Sequence, residues 1–232
     1  MLDFSSFEVL TFDCYGTLID WETGIIEALK PVFVRHHIKV SDKEILELYA
    51  EMEAMAETRE YVTYRKVLKA VMENISQHFG MSMVVTAFDV LAESIRSWEP
   101  FPDTVEALTA LKKRYRLGIL SNIDDDLFKY SSKKLRVPFD WIITAEQAQS
   151  YKPSLNNFFY MLQKIDIPQE RILHVAQSVH HDIVPAQKIG LKTVWVNRSG
   201  PRKRFGATLP AHGKPDLEVP DLKTLTALMG LS

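Results

Sequence analysis

The chain has 232 residues, of which 46% are hydrophobic and 25% are charged, and these proportions are typical of a globular protein. The formal net charge of -2 gives no electrostatic reason to bind nucleic acid, and no run approaches the roughly 20 apolar residues that a membrane span requires. We therefore expect neither a nucleic-acid partner nor membrane association. The single cysteine and the lack of a secretory signal pattern predict a cytoplasmic location.

A short apolar segment near the start ends in an acidic residue. Residues 7–13 are predicted to form a buried strand that presents Asp13 at its carboxyl end. Gly16 permits a sharp turn, and Thr17 brings a hydroxyl beside the carboxylate. Ligands of open α/β sheets bind outside the carboxyl ends of the strands, so Asp13 is a candidate for chemistry. The alternative is an ordinary turn, in which these residue types are also common.

Residues 20–98 show helical periodicity and no convincing strand. Ser41 and Glu44 form a capping box that begins one helix, and Gly80 is expected to end the next. The apolar positions predicted on these two helices are Ile45, Leu48, Tyr49, Met52 and Met55, then Tyr64, Val67, Leu68, Val71, Ile75 and Phe79. Most of this stripe is expected to be core between helices, and the alternative is that it lines a substrate pocket.

From residue 99 onward, helices and strands alternate. Strands are predicted over residues 117–120, 141–144, 171–176 and 193–196, and helices over residues 104–115, from Pro153, over 183–189 and over 222–229. The tail from Pro210 to the last helix reads as a loop. Alternation of this kind predicts an α/β fold with a parallel sheet and helices on both faces.

Three later groups of polar residues follow predicted strands or come shortly after them. Ser121 and Asn122 follow one strand and offer a hydroxyl and an amide, although both residues are also common helix caps. Lys152 would keep Asp13 ionised if it lay nearby, whereas a lone lysine is normally solvated. Asp182 begins a predicted helix, where an acid also interacts favourably with the helix dipole.

These four sites resemble, in order, the four motifs of the haloacid dehalogenase (HAD) superfamily. The string FDCYGTLID resembles the first motif, and the run HVAQSVHHD resembles the fourth. In detail the chain looks most like the L-2-haloacid dehalogenase (type II) branch. The resemblance implies a Rossmann-like core of residues 1–19 and 99–232, with an α-helical cap domain of residues 20–98 inserted after the first strand.

The resemblance also assigns roles to individual residues. Asp13 would be a covalent nucleophile, Lys152 would orient it, and Asp182 would direct the hydrolytic water. The implied catalytic set is Asp13, Thr17, Ser121, Lys152 and Asp182, and the implied substrate-binding set is Cys14, Tyr15 and Asn122. For Cys14, a buried core position is the more ordinary role of a free cysteine.

Two positions favour a dehalogenase over a phosphatase. Tyr15 stands where the phosphatases of the superfamily carry an acid that protonates the leaving alkoxide, and a departing halide needs no such proton. Gln177 stands where they carry an acidic magnesium ligand. We therefore expect hydrolysis of a short 2-haloacid through an aspartyl ester, with no metal cofactor and with a homodimer as one option. The run His180-His181-Asp182 suggests a metal site, but adjacent side chains rarely converge on one ion.

The alternatives are a Mg²⁺-dependent phosphatase acting on a small ester and a catalytically weak binding protein with the same fold. The substrate also stays open because the chain departs from the dehalogenase pattern. The cap arginine of that branch falls near Met55 here, with Arg35, Arg59 and Arg65 close by in sequence, and Val179 replaces an asparagine. A defluorinating enzyme is among the options.

Overall fold

The computed structural model describes residues 2–57, 60–198, 207–209 and 211–231. Its centre is a six-stranded sheet whose order is β3-β2-β1-β4-β5-β6, with every neighbouring pair parallel. The strands are β1 (Val9–Phe12), β2 (Arg116–Ser121), β3 (Trp141–Thr144), β4 (Ile172–Ala176), β5 (Lys192–Val196) and β6 (Leu217–Val219). The fold is therefore the predicted α/β, Rossmann-like parallel sheet.

The position of β1 decides where a ligand can bind. It pairs with β2 on one side and with β4 on the other, with Val9 opposite Arg116 and Ile172 respectively. The chain order reverses at this strand, and such a reversal opens a crevice at the carboxyl ends. All four residues of β1 are buried, as expected for a strand that is covered on both faces. Asp13, which follows β1, therefore lies at the crevice.

Helices surround the sheet. After the first strand come α1 (Trp21–Arg35), α2 (Asp42–Glu57), α3 (Tyr64–His78) and α4 (Val90–Ser94), which make up the helical cap. The later helices are α5 (Thr104–Lys112), α6 (Asp125–Leu135), α7 (Ala145–Ala148), α8 (Leu155–Ile165), α9 (Val184–Lys188) and α10 (Leu222–Leu228). Within the described residues, no helix combines the length and the apolar character needed to cross a membrane.

The two faces of the sheet build separate cores. Val9 and Leu120 pack with residues of α8 and α9 in one apolar cluster. Leu10 and Phe12 belong to the other cluster, which runs on without a break into the cap helices. Because successive side chains of a strand point to opposite faces, this division follows from the alternation along β1. The cap is thus packed onto one side of the sheet's core.

Most of the predicted elements are confirmed, and three details are wrong. The capping box forms, since the amide of Ser41 donates to Glu44 Oε2 at 2.7 Å. The predicted apolar position Met55 is instead 56% exposed, because the buried face of α2 is turned toward Glu53. The helix expected from Pro153 begins at Leu155, with the Ser154 hydroxyl accepting from the next turn.

The third error is the tail, which contains the strand β6 rather than loop alone. Asp216 fixes this segment beside β5, because its carboxylate accepts from Lys192 Nζ at 2.8 Å and from the amide of Thr193 at 2.9 Å. A strand of three residues carries no readable periodicity, so only its pairing with the sheet edge defines it. The residues that the structure does not describe include Arg59, the basic residues Arg202, Lys203 and Arg204, and Pro210.

Packing inside the cap makes Gly24 a sensitive position. A Cβ atom there would lie 2.2 Å from Trp98 Cδ1, so Gly24→Ala should lower the free energy of unfolding by about 1–3 kcal/mol despite the better helix propensity of alanine. Urea unfolding measures this loss. The loss should shrink in a Trp98→Phe background, where the smaller ring leaves room, and an equal loss in both backgrounds would contradict the steric explanation.

Candidate active site

Lys152 lies between two carboxylates at the carboxyl edge of the sheet. Its Nζ donates to Asp13 Oδ1 at 2.9 Å, to Asp182 Oδ1 at 2.6 Å and to the carbonyl oxygen of Leu120 at 2.9 Å. Lys152 is 1% exposed, and both aspartates are also buried. Buried charges are stable only when they are paired and hydrogen-bonded, so these three residues depend on each other.

The surroundings shift the pKa values of the two carboxyl groups in opposite directions. Burial raises the pKa of Asp13, and the Lys152 ammonium opposes that rise. For Asp182, burial also acts to raise the pKa, but the Lys152 ammonium and the His174 imidazole outweigh it and leave the pKa below its usual range. The pKa of Lys152 stays high because the two carboxylates outweigh its own burial. A pair of carboxyls whose pKa values are pushed apart is typical of catalytic sites.

The turn after β1 orients Asp13. The Thr17 hydroxyl donates to Asp13 Oδ2 at 2.7 Å and accepts from the amide of Gln177 at 2.8 Å. Gly16 makes this return possible, since its φ is 91° and a Cβ atom would lie 2.9 Å from Gln177 Oε1. Both oxygens of Asp13 therefore have donors, and its carboxylate is held in one orientation.

Ser121 is the last residue of β2 and Asn122 follows it, and their side chains have different roles. Asn122 holds the backbone of Lys152 at both ends, because its Oδ1 accepts from the amide of Lys152 at 2.7 Å and its Nδ2 donates to the carbonyl at 3.0 Å. The hydroxyl of Ser121 is buried and has no partner among the described residues. Neither residue caps a helix, since Asp124 stands at the N-cap of α6. The helix-cap interpretation of this pair is therefore wrong.

His174 is a site residue that the sequence reasoning missed. Its ring is fully buried, with Nδ1 2.9 Å from Thr11 Oγ1 and Nε2 3.0 Å from Asp182 Oδ1. A carboxylate only accepts, so Nε2 carries a proton and donates to Asp182. The signal was a histidine in the middle of an apolar strand. The other oxygen of Asp182, Oδ2, is buried without a partner in the described part of the chain.

These groups border a small cavity of about 30 Å³, which is room for roughly two water molecules. It is lined by residues of the sheet edge and of the cap, namely Asp13, Tyr15, Trp21, Glu53, Tyr64, Ser121, Asn122, Lys152, Ser178, His181, Asp182 and Thr208. A larger groove of about 840 Å³ lies between α1 and the segment around α4, and it contains none of the predicted site residues. Of these two, the small cavity is the one that reaches Asp13.

Six of the eight predicted site residues line this cavity, and two do not. Thr17 lies behind Asp13 and acts on it through their hydrogen bond. Cys14, predicted to bind substrate, has a fully buried thiol that packs in the apolar core, and burial raises its pKa well above the usual value. The side chain of Cys14 therefore does not meet a ligand here, which agrees with the ordinary role of a free cysteine. The hydroxyl of Tyr15 is engaged with Ser131 Oγ at 2.9 Å.

Among the described residues, none of the arginines considered from sequence lines the cavity. Arg65 forms ion pairs with Glu93 at 3.2 Å and with Asp126 at 2.8 Å on the surface. Arg35 borders the larger groove of the cap. The cap contributes Trp21, Glu53 and Tyr64 to the cavity instead. The buried stripe of α2 was the signal for Glu53, because an acid there follows Tyr49 by one helical turn.

The comparisons with known proteins agree with this geometry. A family model described as haloacid dehalogenase-like hydrolase matches residues 10–196. The chain belongs to this family. The (S)-2-haloacid dehalogenase of Pseudomonas sp. strain YL is 26% identical over 225 residues, which cover 94% of this chain and 93% of that protein.

Two further matches of this haloacid dehalogenase-like hydrolase are a dehalogenase structure and a phosphatase. A crystal structure of a defluorinating L-2-haloacid dehalogenase superimposes with a TM-score of 0.81 at 25% identity, covering 97% of this chain and 95% of that one. The glyceraldehyde 3-phosphate phosphatase of Methanocaldococcus jannaschii is 29% identical over 133 residues, or 55% of this chain and 56% of that one. The predicted resemblance to the L-2-haloacid dehalogenase branch is confirmed.

Removing the central lysine should destabilise the hydrolase. In Lys152→Met the buried Asp13 and Asp182 carboxylates lose their shared cation, and we expect a loss of about 3–5 kcal/mol in the free energy of unfolding at pH 8. The loss should be smaller at pH 5, because protonation of Asp13 relieves the repulsion between the two carboxylates. Urea unfolding at both pH values measures it. Lys129→Met, at an exposed position of α6, is the control, and an equal effect of both substitutions would contradict the shared-charge interpretation.

Proposed function

We propose that this hydrolase is a 2-haloacid dehalogenase that works through an ester on Asp13. The observation that carries the proposal is the buried Asp13–Lys152–Asp182 arrangement beside a hydroxyl and a carboxylate oxygen that have no partner in the part of the chain that the structure describes. One cavity thus brings together a nucleophile, a charge-compensating cation, a group for the substrate and a group for water. The similarity to haloacid dehalogenases over nearly the whole chain supports the same reaction class.

The first step is displacement at the carbon that bears the halogen. A carboxylate oxygen of Asp13 forms the new C–O bond while the C–X bond breaks, and the halide leaves with the bonding electrons. The hydrogen bonds from Lys152 and Thr17 hold Asp13 in position for this attack. No proton transfer to the leaving group is required, which fits the absence of an acid at position 15.

The second step is hydrolysis of the ester. Asp182 Oδ2 accepts a proton from water, and the water oxygen attacks the carbonyl carbon of the Asp13 ester. The C–O bond that breaks is the one between this carbonyl and the oxygen bound to substrate carbon, and that oxygen takes up the proton of the hydroxyl that has added to the carbonyl. A 2-hydroxy acid therefore leaves, the Asp13 carboxylate is restored, and Asp182 passes its proton to solvent. His174 keeps Asp182 ionised and oriented through its Nε2 hydrogen bond.

Donors for the substrate carboxylate are available near Asp13. The Ser121 hydroxyl is buried at the cavity wall without a partner among the described residues. The amides of Cys14, Tyr15 and Asn122 have no acceptor within the described chain either. Lys152 Nζ is occupied by three acceptors, so we assign recognition of the substrate carboxylate to the hydroxyl and these amides.

We propose further that the reaction needs no metal ion. In the described residues no group of three or more His, Cys, Asp or Glu side chains is arranged to hold one. The two carboxylates at the site share the Lys152 ammonium, and Gln177 contributes no charge. Because this ammonium already compensates both carboxylates, we expect no magnesium ion between them. A phosphate ester, whose greater negative charge calls for such a cation, is therefore the weaker substrate candidate.

Halide release from L-2-chloropropionate in the presence of EDTA tests the proposal. The wild-type protein should release chloride, and Asp13→Asn should lower the rate by at least about 10⁴-fold because the nucleophile is lost. In Asp182→Asn the ester should accumulate, and mass spectrometry should detect the added mass on Asp13. Asp166→Asn, at the exposed end of α8, is the control. Chloride release by Asp13→Asn, or its loss with EDTA in the wild type, would contradict the mechanism.

His174→Phe should make turnover more sensitive to acid. Without the imidazole donor the pKa of Asp182 rises, and because water activation requires the ionised carboxylate, activity should be lost at a higher pH than in the wild type. Relative to the wild type, we expect about a tenfold greater loss at pH 5.5 than at pH 8. The pH profile of the steady-state rate measures this. His212→Phe, at an exposed position, is the control, and parallel profiles for wild type and His174→Phe would refute the positioning role.

A further inference from the structure

Glu53 is a buried acid in the cavity that the reaction steps above leave unused. It lies on α2, is 6% exposed and lines the cavity together with Asp13. Among the described residues, no lysine, arginine or histidine lies within ion-pair distance of it. Burying an acid is costly, so the retention of Glu53 inside a substrate cavity calls for a chemical reason.

Two tyrosines hold this carboxyl group in place. Tyr49 Oη donates to Glu53 Oε1 at 2.9 Å, Tyr64 Oη donates to the same oxygen at 2.5 Å, and the two hydroxyls are 2.8 Å apart. Tyr64 is in turn fixed to the core, because its amide donates to Asp124 Oδ1 at 2.7 Å. The other oxygen, Glu53 Oε2, has no partner among the described residues. Since both tyrosines act on Oε1, a proton on the neutral acid belongs on Oε2 and can be donated into the cavity.

The protonation state of Glu53 supports this use. Burial raises its pKa to about 7, although the hydrogen bonds from Tyr64 and Tyr49 oppose the rise. A substantial fraction of Glu53 is therefore a neutral acid, and a hydrogen-bond donor, at neutral pH and below. As the pH rises through this pKa, the donor is lost and a second negative charge appears in the cavity.

The direction of attack determines which group of the substrate faces this donor. Displacement at carbon is in line, so the leaving group departs on the side away from Asp13. Asp13 comes from the sheet edge, while Glu53 and Tyr64 come from the cap that covers it. Ser121 and the free amides near Asp13 already serve the substrate carboxylate. A donor from the cap therefore remains for the leaving group.

We propose that neutral Glu53, held by Tyr49 and Tyr64, is the catalytic residue that donates a hydrogen bond to the departing halide and so determines which halogen the enzyme can release. This inference rests on the proposed dehalogenase function. In the step itself the C–X bond breaks, the electron pair goes to the halide, and the proton of Glu53 stays on the carboxyl oxygen. Fluoride is the poorest leaving group and the strongest hydrogen-bond acceptor of the halides, so C–F cleavage should depend most on Glu53.

Other titratable groups face Glu53 and must be separated from it in any pH profile. They are Tyr49 and Glu57 on α2, Tyr64 on α3, and Asp13, Tyr15, Lys152, His181 and Asp182 across the cavity. Burial raises the pKa of all three tyrosines well above 10 and lowers that of His181 to about 3. Burial and the neighbouring Glu53 together raise the pKa of Glu57. Glu57 is therefore the group that most needs its own control.

The experiment compares fluoride release from fluoroacetate with bromide release from bromoacetate between pH 5.5 and 9. In the wild type the ratio of fluoride to bromide release should fall by up to about tenfold per pH unit above pH 7. This ratio is measured within one protein and does not depend on how a variant folds. A ratio that is constant across the range would overturn the assignment.

Glu53→Gln provides the second readout, because the amide is nearly isosteric and cannot ionise. It should make the fluoride-to-bromide ratio independent of pH and hold fluoride release at pH 9 near its level at pH 6, because the amide nitrogen donates a hydrogen bond at every pH. Glu53→Leu, which has no donor, should lower fluoride release at pH 6 by about tenfold, with bromide release lowered less than about threefold. Glu51→Gln, on the exposed face of α2, should match the wild type. Glu57→Gln should retain the pH-dependent ratio. Loss of that dependence in Glu57→Gln but not in Glu53→Gln would refute the role of Glu53.

A protein that releases no halide from any acid would overturn the proposed function, and the assignment of Glu53 then needs a direct test. Chloride is the probe, followed by the broadening of its ³⁵Cl NMR line on addition of the protein. Broadening at pH 6 that disappears at pH 9 and in Glu53→Leu would support a halide site at Glu53. Equal broadening in the wild type and in Glu53→Leu, or none in either, would overturn it.

Discussion

The shared ammonium of Lys152 is the interaction on which the rest of the site depends. Asp13 and Asp182 are buried and lie within 3 Å of one cation, so this ammonium offsets the cost of burying both charges. The arrangement needs the sheet order, because the carbonyl of Leu120 on β2 accepts from the same ammonium that meets residues after β1 and β4. The site is therefore a product of how three strands end side by side.

The cap completes the cavity through a few fixed contacts with the core. Asp124, just before α6, accepts from the amides of Tyr64 at 2.7 Å and Arg65 at 2.9 Å, and the Tyr151 hydroxyl donates to the carbonyl of Val62 at 2.7 Å. These bonds set the start of α3, and with it the wall opposite Asp13. The resulting cavity has three carboxyl groups and one lysine, so the protonation state of Glu53 controls its net charge.

Much of the fold and part of the site could be predicted from the sequence because the signals are local. The strand that ends in Asp13, the turn through Gly16, and the alternation of helices and strands are each written in a few adjacent residues. The capping box at Ser41 was predicted for the same reason. Predictions failed where the signal depended on partners, as for β6, which exists through its pairing with β5, and for the buried face of α2, which is set by packing against α1 and α3.

The sequence by itself determined the fold class, the family and the chemical types at the site, since each follows from a short motif with its own spacing. Only the tertiary structure decided which of those groups meet. It brought His174 to Asp182, left the Ser121 hydroxyl without a partner and turned Cys14 into the core. It also carried Glu53 from the cap to the cavity. The physical reason is that burial and hydrogen-bond partners come from residues distant in the chain, and these set the charge and orientation of every group at the site.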